Sequence, residues 1–192
     1  MVLVIDTSSA RSAVAVLEDR LVVGEEVWES GRDENLGLRV AALADPGELT
    51  AVAVALGPGS FTGLRLGVSF GLGLAMGRGI PFLGLGTLEI QAARAPVQAV
   101  GLADAGRGRV YWLGTDGTVG HGEPGTLPHE QPAVGWIRAA TADLVRRQGV
   151  RLLEEDEVDT FGTAASKLVD GARSLGYDTV ELRYMHSFGR VR

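Results

Sequence analysis

Short apolar runs separated by polar turns fill the first thirty residues of the chain. This spacing is typical of strands joined by tight turns. The pattern predicts a three-stranded meander with strands at 2–5, 12–17 and 21–27. Asp6 ends the first predicted strand, and Thr7 and Ser8 follow it in the turn.

The next apolar positions recur at helical spacing. Leu36, Val40 and Leu43 lie at positions i, i+4 and i+7, which places them on one face of a helix. We therefore predict a short amphipathic helix at 35–44, with Asp33 as its N-cap.

The longest apolar stretch, at 52–76, is interrupted by a single loop rich in glycine. It predicts a strand at 52–56, a tight loop, and a helix that runs to about residue 78 and that either Ser60 or Thr62 caps. The loop and the start of the helix consist of Gly57, Pro58, Gly59, Ser60, Phe61, Thr62 and Gly63.

One face of this helix has almost no side chains, because small residues recur at every fourth position. We call this row the glycine ridge; it consists of Gly63, Gly67, Gly71 and Ala75. Glycine costs about 1 kcal/mol relative to alanine at an interior helix position, so the helix needs tertiary or quaternary packing to persist. The uncharged segment at 66–77 is too short to span a membrane. Another backbone can approach this ridge closely, and we expect something to pack against it.

The rest of the chain continues the same alternation of elements. Further strands are predicted at 80–85, 97–102, 109–113 and 180–184, further helices at 87–94, 136–148 and 160–175, and irregular or solvated loops at 120–132 and 154–159.

The chain contains a weak internal repeat. LVIDTSSARSAVAVLED and VGLADAGRGRVYWLGTD both predict a strand, an aspartate, a turn of small residues, a second strand and an acidic turn. Asp6 and Asp104 occupy matching places in the two segments. The repeat predicts an N-terminal half at 1–95 and a smaller C-terminal half at 96–192.

Composition narrows the chemistry that is expected. The 192 residues include no cysteine, which excludes disulfides, thiol nucleophiles and zinc–thiolate sites. The net charge of −6 argues against unaided binding of nucleic acid. The first residues lack the basic segment of a signal peptide, so we expect a cytoplasmic protein with no membrane contact.

The string GPGSFTGLRLG at 57–67 resembles the hallmark of the TsaB family, also called YeaZ. The order of features along the rest of the chain agrees with that family. The resemblance implies an α/β fold with a duplicated RNase H-like core, the superfold of actin-like ATPases, sugar kinases and Hsp70, in which mixed sheets are flanked by helices. The second half departs from the usual family pattern at Gly106 and Arg109.

The resemblance also implies a function and partners. Members of the family are non-catalytic subunits that support TsaD in threonylcarbamoyl transfer to adenosine 37 of tRNA. It implies a TsaD-like partner, a TsaE-like ATPase, a homodimer when the chain is alone, and contact with tRNA only through the complex. The implied interface lies on the helices at 35–44 and 61–77, with Leu36, Val40, Leu43, Gly63, Gly67, Gly71 and Ala75 as the lining residues.

Asp6, Thr7, Ser8 and Asp104 lie where nucleotide-binding members of the superfold hold phosphate, and here they form a possible vestigial nucleotide site. We expect no catalytic residues, no metal and no cofactor of the chain's own, with ATP possible in the complex.

Two alternatives stay open. A small ATPase or kinase would use Asp6 and the loop at 57–63 on phosphate. A glycopeptidase of the M22 type is weaker, because the chain lacks the HxxxH pair that such a metal site needs.

Overall fold

A computed structural model describes residues 1–31 and 35–180. The strands are β1 (Val2–Asp6), β2 (Arg11–Glu18), β3 (Leu21–Glu29), β4 (Ala51–Ala55), β5 (Phe82–Leu85), β6 (Val100–Gly106), β7 (Arg109–Leu113), β8 (Val119–Gly122), β9 (Ala133–Trp136) and β10 (Arg173–Leu175). The helices are α1 (Leu36–Leu43), α2 (Phe61–Arg78), α3 (Thr87–Ala93), α4 (Ala139–Arg147) and α5 (Phe161–Leu168). None of the helices in the described ranges is long and apolar enough to cross a membrane.

The strands form two mixed sheets. The first has the order β10-β5-β4-β1-β2-β3, and the second has the order β8-β7-β6-β9. In the first sheet β1 pairs antiparallel with β2 and parallel with β4. In the second sheet β6 pairs antiparallel with β7 and parallel with β9. The repeat predicted from the sequence therefore has a counterpart in the topology, since each half begins with the same three-strand arrangement.

Helices cover both faces of the first sheet, because successive side chains of a strand point to opposite faces. Leu3 and Ile5 of β1 pack in a cluster with residues of α1 and α2. Val4, between them, packs on the other face in a cluster with Ile90 of α3 and Phe161 of α5. The central strands are buried on both sides, which explains the continuous apolar runs at 2–5 and 51–55.

Side-chain caps fix the starts of two helices. Ser60 caps α2, where its Oγ accepts a hydrogen bond from the Gly63 amide at 3.4 Å. Of the two residues predicted as possible caps of α2, Ser60 is therefore the one that acts. Asn35 caps α1, where its Oδ1 accepts from the Leu38 amide at 3.3 Å. The predicted cap Asp33 lies outside the described residues.

Several boundaries in the second half were predicted wrongly. Trp136 belongs to β9, and α4 starts only at Ala139, because a four-residue apolar run next to a helix gives no clear period. Part of the segment predicted as irregular forms β8. The last helix ends at Leu168, and Leu175 instead pairs with Phe82 across β10 and β5.

Two further predictions from the sequence stay predictions. The predicted strand at 180–184 lies, beyond residue 180, outside the described residues. The division of the chain at residue 95 also stays a prediction. Strand β10, which follows that point in the sequence, joins the first sheet.

Candidate functional site

A cleft of about 830 Å³ lies between the ends of β1 and β6. The turn after β1 contributes residues 8–10, and the start of α2 contributes residues 59–61. The β6–β7 hairpin and the start of α4 supply the opposite wall, with residues 104–107, Arg109, Tyr111 and Arg138. The fold thus brings Ser8, the glycine-rich loop and Asp104 to one cleft.

Asp6 lies beneath this cleft and is completely buried. Its Oδ1 accepts hydrogen bonds from the Ser8 amide at 2.8 Å and the Ser8 Oγ at 2.6 Å. The Ser8 hydroxyl also lies 2.9 Å from Thr87 Oγ1. Within the described part of the chain, the Asp6 Oδ2 has no hydrogen-bond partner. Burial raises the pKa of the Asp6 carboxyl to about 6, against the lowering effect of the Ser8 hydrogen bonds.

The glycine-rich loop packs directly on the turn at 6–8 and covers it. The Ser60 amide donates to the Ser8 carbonyl oxygen at 2.6 Å, and the Thr7 hydroxyl donates to the Gly63 carbonyl oxygen at 2.7 Å. A Cβ atom on Gly59 would overlap with the Ser8 carbonyl oxygen, and one on Gly63 would overlap with that of Thr7. Only glycine permits this approach of two backbones.

The packing of the glycine-rich loop determines which ligands the turn at 6–8 can bind. A metal–nucleotide group would need an accessible carboxylate for the metal and free backbone donors for the phosphates. Here the Asp6 carboxylate is covered, and the Ser8 amide is bound to it. The turn at 6–8 therefore does not fit a metal–nucleotide group, and this speaks against the ATPase alternative.

Asp104, which matches Asp6 in the second half of the repeat, has a structural role. Its Oδ1 accepts from the Gly106 amide at 2.7 Å, just as Asp6 accepts from the amide two residues ahead. Its Oδ2 accepts from the Arg138 amide at 3.1 Å and the Thr141 Oγ1 at 3.3 Å. Asp104 thereby fixes the first turn of α4 against the hairpin.

The glycine ridge faces the chain's own sheet. Gly67 and Gly71 are buried, and a Cβ atom on Gly71 would lie 2.5 Å from Val54 Cγ2 and 3.2 Å from Val52 Cγ1. One on Gly67 would lie 2.5 Å from the Thr7 hydroxyl. The ridge thus packs on the backbone of the turn after β1 at Gly63 and on side chains of β1, its turn and β4 at Gly67 and Gly71.

The structure places the interface residues predicted from the sequence mainly on the inner side of the two helices, and their role at an interface stays a prediction. Leu36, Val40, Gly67, Gly71 and Ala75 are buried in the first sheet's core. The other two, Leu43 and Gly63, are half-buried and pack on residues of the same chain. The five buried residues face inward, so a partner cannot contact them while the helices keep their places. That α1 and α2 pair with a partner remains a prediction, which now concerns their outer faces.

Sequence reasoning missed those outer faces. A second row of small residues, Ser69, Gly73 and Gly77, is exposed along α2 at intervals of four. This spacing was available in the sequence, but the inner ridge has the same spacing and contains more glycine. The arginines of the cleft were missed because Arg107, Arg109 and Arg138 meet Ser9 only in the folded chain.

Known proteins share both the sequence and the architecture. Residues 40–123 match the family model described as TsaD, tRNA N6-adenosine threonylcarbamoyltransferase. The tRNA threonylcarbamoyladenosine biosynthesis protein TsaB of Bacillus subtilis (strain 168) is 34% identical over 121 residues, which are 57% of this chain and 52% of that protein. The protein of the same name from Escherichia coli (strain K12) is 39% identical over 70 residues, 34% of this chain and 30% of that protein. These matches support the TsaB/YeaZ family for this chain.

The fold agrees with this family. The solved structure of YeaZ from Pseudomonas aeruginosa superposes with a TM-score of 0.70 at 22% identity, covering 93% of this chain and 96% of that one. The chain therefore has the RNase H-like fold of the actin-like superfold, as its motif implied. The matches span between 30% and 57% of the length of the curated relatives.

Among residues 1–31 and 35–180, no group of three or more His, Cys, Asp or Glu side chains is placed to hold a metal ion. His121 lies in β8 with its ring 4.9 Å from that of Tyr111, and His129 is exposed. His186 lies outside the described residues.

The buried carboxyl of Asp6 predicts a pH dependence of stability. Because its folded pKa of about 6 exceeds the ordinary 3.8, folding takes up a proton between these values. This contribution is fully present below the unfolded pKa and is lost as the pH rises through about 6. The difference corresponds to about 3 kcal/mol. Urea unfolding from pH 3.5 to 7.5 should show this loss in the wild type and not in Asp6→Asn.

A matched variant makes the test specific. Asp143 is an exposed aspartate on α4. The substitution Asp143→Asn should leave the pH dependence of the wild type unchanged. An Asp6→Asn protein that retains the full wild-type slope would show that another group titrates.

Proposed function

We propose that this chain is a non-catalytic subunit of the machinery for tRNA threonylcarbamoyladenosine synthesis. It binds a TsaD-like catalytic subunit and supports threonylcarbamoyl transfer to adenosine 37. The names of its relatives support the pathway. The family resemblance supports the partner, and the outer faces of α1 and α2 supply a surface for it.

The observation that carries the docking proposal is an apolar surface on these two helices. Leu38 of α1 is 68% exposed, and Met76 of α2 is 55% exposed. The helices lie side by side, since a Cβ atom on Gly37 would be 4.0 Å from the ring of Phe70. Exposed apolar side chains grouped on one surface are typical of an interaction site.

Small residues make this surface suited to another helix. Ser69, Gly73 and Gly77 form an exposed row along α2, and a Cβ atom on Gly73 or Gly77 would meet no other atom of the described residues within 4 Å. Each interior glycine costs the helix about 1 kcal/mol without serving the chain's own packing. A partner helix that packs closely on the row would account for that cost. We define the docking face as Leu38, Ser69, Gly73, Met76 and Gly77.

The burial of Asp6 supports the non-catalytic part of the proposal. Its carboxylate is completely buried and accepts hydrogen bonds from the Ser8 amide and hydroxyl. Catalysis then belongs to the TsaD-like subunit. ATP enters through that complex, together with a TsaE-like ATPase, rather than as a cofactor of this chain.

Further parts of the proposal follow from the docking face. In the absence of a TsaD-like subunit, a second copy of the chain occupies the same face, which gives a homodimer. The complex rather than this chain alone holds the tRNA, in keeping with the net charge of −6. We propose the cytoplasm, where tRNA is modified, as its location.

Substitutions on the docking face test the proposal. Leu38→Arg and Gly73→Arg place a long cation where a partner helix should pack, and each should weaken binding of the TsaD-like subunit more than tenfold, roughly 1.4 kcal/mol or more. Isothermal titration calorimetry with the TsaD-like protein of the same organism gives the affinities. Gly73→Arg should also unfold at a higher urea concentration, because the side chain points to solvent and replaces a helical glycine.

The control carries the same new side chain elsewhere. Ala140 is exposed on α4, outside the docking face, and Ala140→Arg should bind as the wild type does. Equal affinity for all four proteins would contradict the proposed face. Gly71→Leu would not test the face, because its side chain would enter the chain's own core at Val54.

A further inference from the structure

We propose that the open edge of β3 binds an extended, basic segment of another protein, which joins the first sheet as an added strand. The segment would place an arginine or lysine opposite Glu25. Strand β3 stands last in the order of the first sheet, with β2 as its only neighbouring strand in the described part of the chain. The inference goes beyond the proposed function and does not depend on it, because the docking face lies on α1 and α2.

The register of β2 and β3 shows which backbone groups of β3 point outward. In continuation of this register, the Ser30 amide donates to the carbonyl oxygen of Ala10 opposite it, at 3.1 Å. Hydrogen-bonded and non-bonded residue pairs alternate along an antiparallel ladder, so the even-numbered residues of 24–28 bond to β2. The amides and carbonyl oxygens of Glu25 and Val27 therefore point away from β2, toward the edge.

The chain's own packing leaves these outward groups open. Outside the β2–β3 ladder, no backbone hydrogen bond among the described residues involves Glu25 or Val27. Helices of the same chain cover both faces of β3, since Glu26 pairs with Arg39 of α1 and Val27 packs in the cluster that contains Phe161 of α5. A further strand can therefore join β3 only at its edge, through main-chain hydrogen bonds.

Strand β3 lacks most of the features that protect an edge strand from pairing. It contains neither proline nor lysine, and its irregularity is a bulge at Val23, close to the hairpin that joins it to β2. Beside the bulge, Leu21 is 71% exposed and Val23 is 51% exposed. Edges of this kind are prone to pair with another chain, and the exposed apolar side chains would contact the end of the added strand.

The charge of Glu25 indicates a basic partner. Its Oε2 accepts hydrogen bonds from the Thr160 hydroxyl at 2.7 Å and from the Gly162 amide at 2.9 Å, which hold the carboxylate at the start of α5. Among the described residues, Glu25 has no ion pair, and its Oε1 accepts no hydrogen bond. A cation on the partner residue opposite Glu25 would complete this site, because opposite charges across a strand pair stabilise a sheet.

The glutamates of β3 disfavour a second copy of this chain as the occupant. Antiparallel pairing of two β3 strands centred on residue 25 places Glu25 opposite Glu25 of the second copy, and pairing centred on residue 26 does the same for Glu26. Pairing centred on residue 27 places Glu25 opposite Glu29. Like charges directly opposite each other destabilise a sheet. The edge therefore fits a basic segment of a different protein better than a copy of itself.

The two faces of β3 specify the order of residues in an antiparallel partner. Three consecutive partner residues would lie opposite Val27, Glu26 and Glu25. A β-branched residue suits the first place, since it would extend the apolar cluster under α5, and basic residues suit the other two. The expected partner pattern is therefore one apolar residue followed by two basic residues in an extended segment.

Amide hydrogen exchange of the full chain, followed by nuclear magnetic resonance, tests the edge. The probe is a peptide with blocked ends and the order Val-Lys-Arg between flanking threonines. In the free chain, the amides of Glu25 and Val27 should exchange faster than those of Glu26 and Trp28, which donate to β2. When about nine-tenths of the chain is bound, exchange at Glu25 and Val27 should slow about tenfold. This alternation distinguishes an added strand from other modes of binding.

Substitutions and a matched control identify the contacts. Glu25→Gln keeps the oxygen that accepts from α5 but removes the charge, and should weaken peptide binding about two- to fivefold. Val27→Pro removes an outward donor without the loss of a bond to β2, and should weaken binding more than tenfold. Should Val27→Pro fail to fold, Glu25→Gln alone decides. Glu123→Gln, at an exposed glutamate before β9, should bind the peptide as the wild type does.

A peptide with two glutamates in place of lysine and arginine tests the charge requirement, and it should bind more than tenfold more weakly than the basic peptide. Equal binding of the two peptides, or unchanged exchange at Glu25 and Val27 with the basic peptide in excess, would overturn the inference. Self-association of the wild type that Val27→Pro abolishes would identify a second copy as the occupant and would also overturn it.

Discussion

Replacing Gly63 by alanine should remove more than about 4 kcal/mol of folding stability, enough to unfold a domain of ordinary stability. The added Cβ atom would overlap with the carbonyl oxygen of Thr7, a backbone atom that cannot move aside. The Thr7 hydroxyl also donates to the Gly63 carbonyl oxygen, so the two segments cannot separate without losing that hydrogen bond. Urea unfolding followed by circular dichroism measures the loss.

A glycine in the same helix supplies the control. A Cβ atom added to Gly73 would meet no atom of the described residues within 4 Å, and Gly73→Ala should raise the stability by about 1 kcal/mol through helix propensity alone. The two substitutions add the same methyl group to α2 and should have opposite signs. A Gly63→Ala protein as stable as Gly73→Ala would contradict the contact between the loop and the turn after β1.

Replacing Arg94 by methionine should cost about 3 kcal/mol of folding stability. This guanidinium is only 2% exposed and joins the end of α3 to the second sheet. It donates to Gln91 Oε1 at 3.2 Å, to the Asp159 carbonyl oxygen at 3.1 Å and to Glu155 Oε2 at 2.6 Å. It also lies 4.8 Å from the ring of Trp136 in β9. Hydrogen bonds to a charged group contribute about 1.5–3 kcal/mol each, and exposed Glu155 regains water when the cation is removed.

Two further variants separate charge from geometry. Arg94→Lys keeps the charge but loses the planar fork, and should recover less than half of the loss. Arg151→Gln removes an ion pair with Glu157 in which both side chains are substantially exposed, and should change the stability by less than about 0.5 kcal/mol. The urea unfolding midpoints of the three variants at pH 7 compare their folding stabilities. A loss for Arg94→Met no larger than that for Arg151→Gln would refute the role of Arg94 as the link.

Much of the first half could be predicted from the sequence. The strands β1, β2 and β3 alternate with polar turns, and β4 is a pure apolar run that ends in a glycine-rich loop. Turn residues and apolar runs are local signals, so they can be recognised without knowledge of the fold. The strand β9 could not be predicted in this way, since its four residues lie beside the helical pattern of α4.

The orientation of α2 could not be predicted from its own residues. Its inner ridge of Gly67, Gly71 and Ala75 and its outer row of Ser69, Gly73 and Gly77 are almost equally small. A helix without a polar face gives no periodic signal for the side that is buried. Only the contacts with Val54 and Thr7 decide which row faces the sheet.

The acidic segment at 154–159 has partners that could not be predicted from the sequence. Its charges predicted a solvated loop, and its side chains are indeed partly exposed. Glu155 nevertheless pairs with the buried Arg94 and with Arg11 of the first sheet. The partners lie far apart in the sequence, so composition alone could not reveal the pairing.

Docking on a TsaD-like subunit through the outer faces of α1 and α2 is the main role that we propose for this chain, which is similar to TsaB and YeaZ proteins. Light scattering on a sizing column tests it most directly, with the chain alone and then mixed with the TsaD-like protein of its organism. We predict a homodimer that gives way to a one-to-one heterodimer, and no heterodimer with Gly73→Arg. A chain that stays monomeric and elutes apart from the TsaD-like protein would contradict this role.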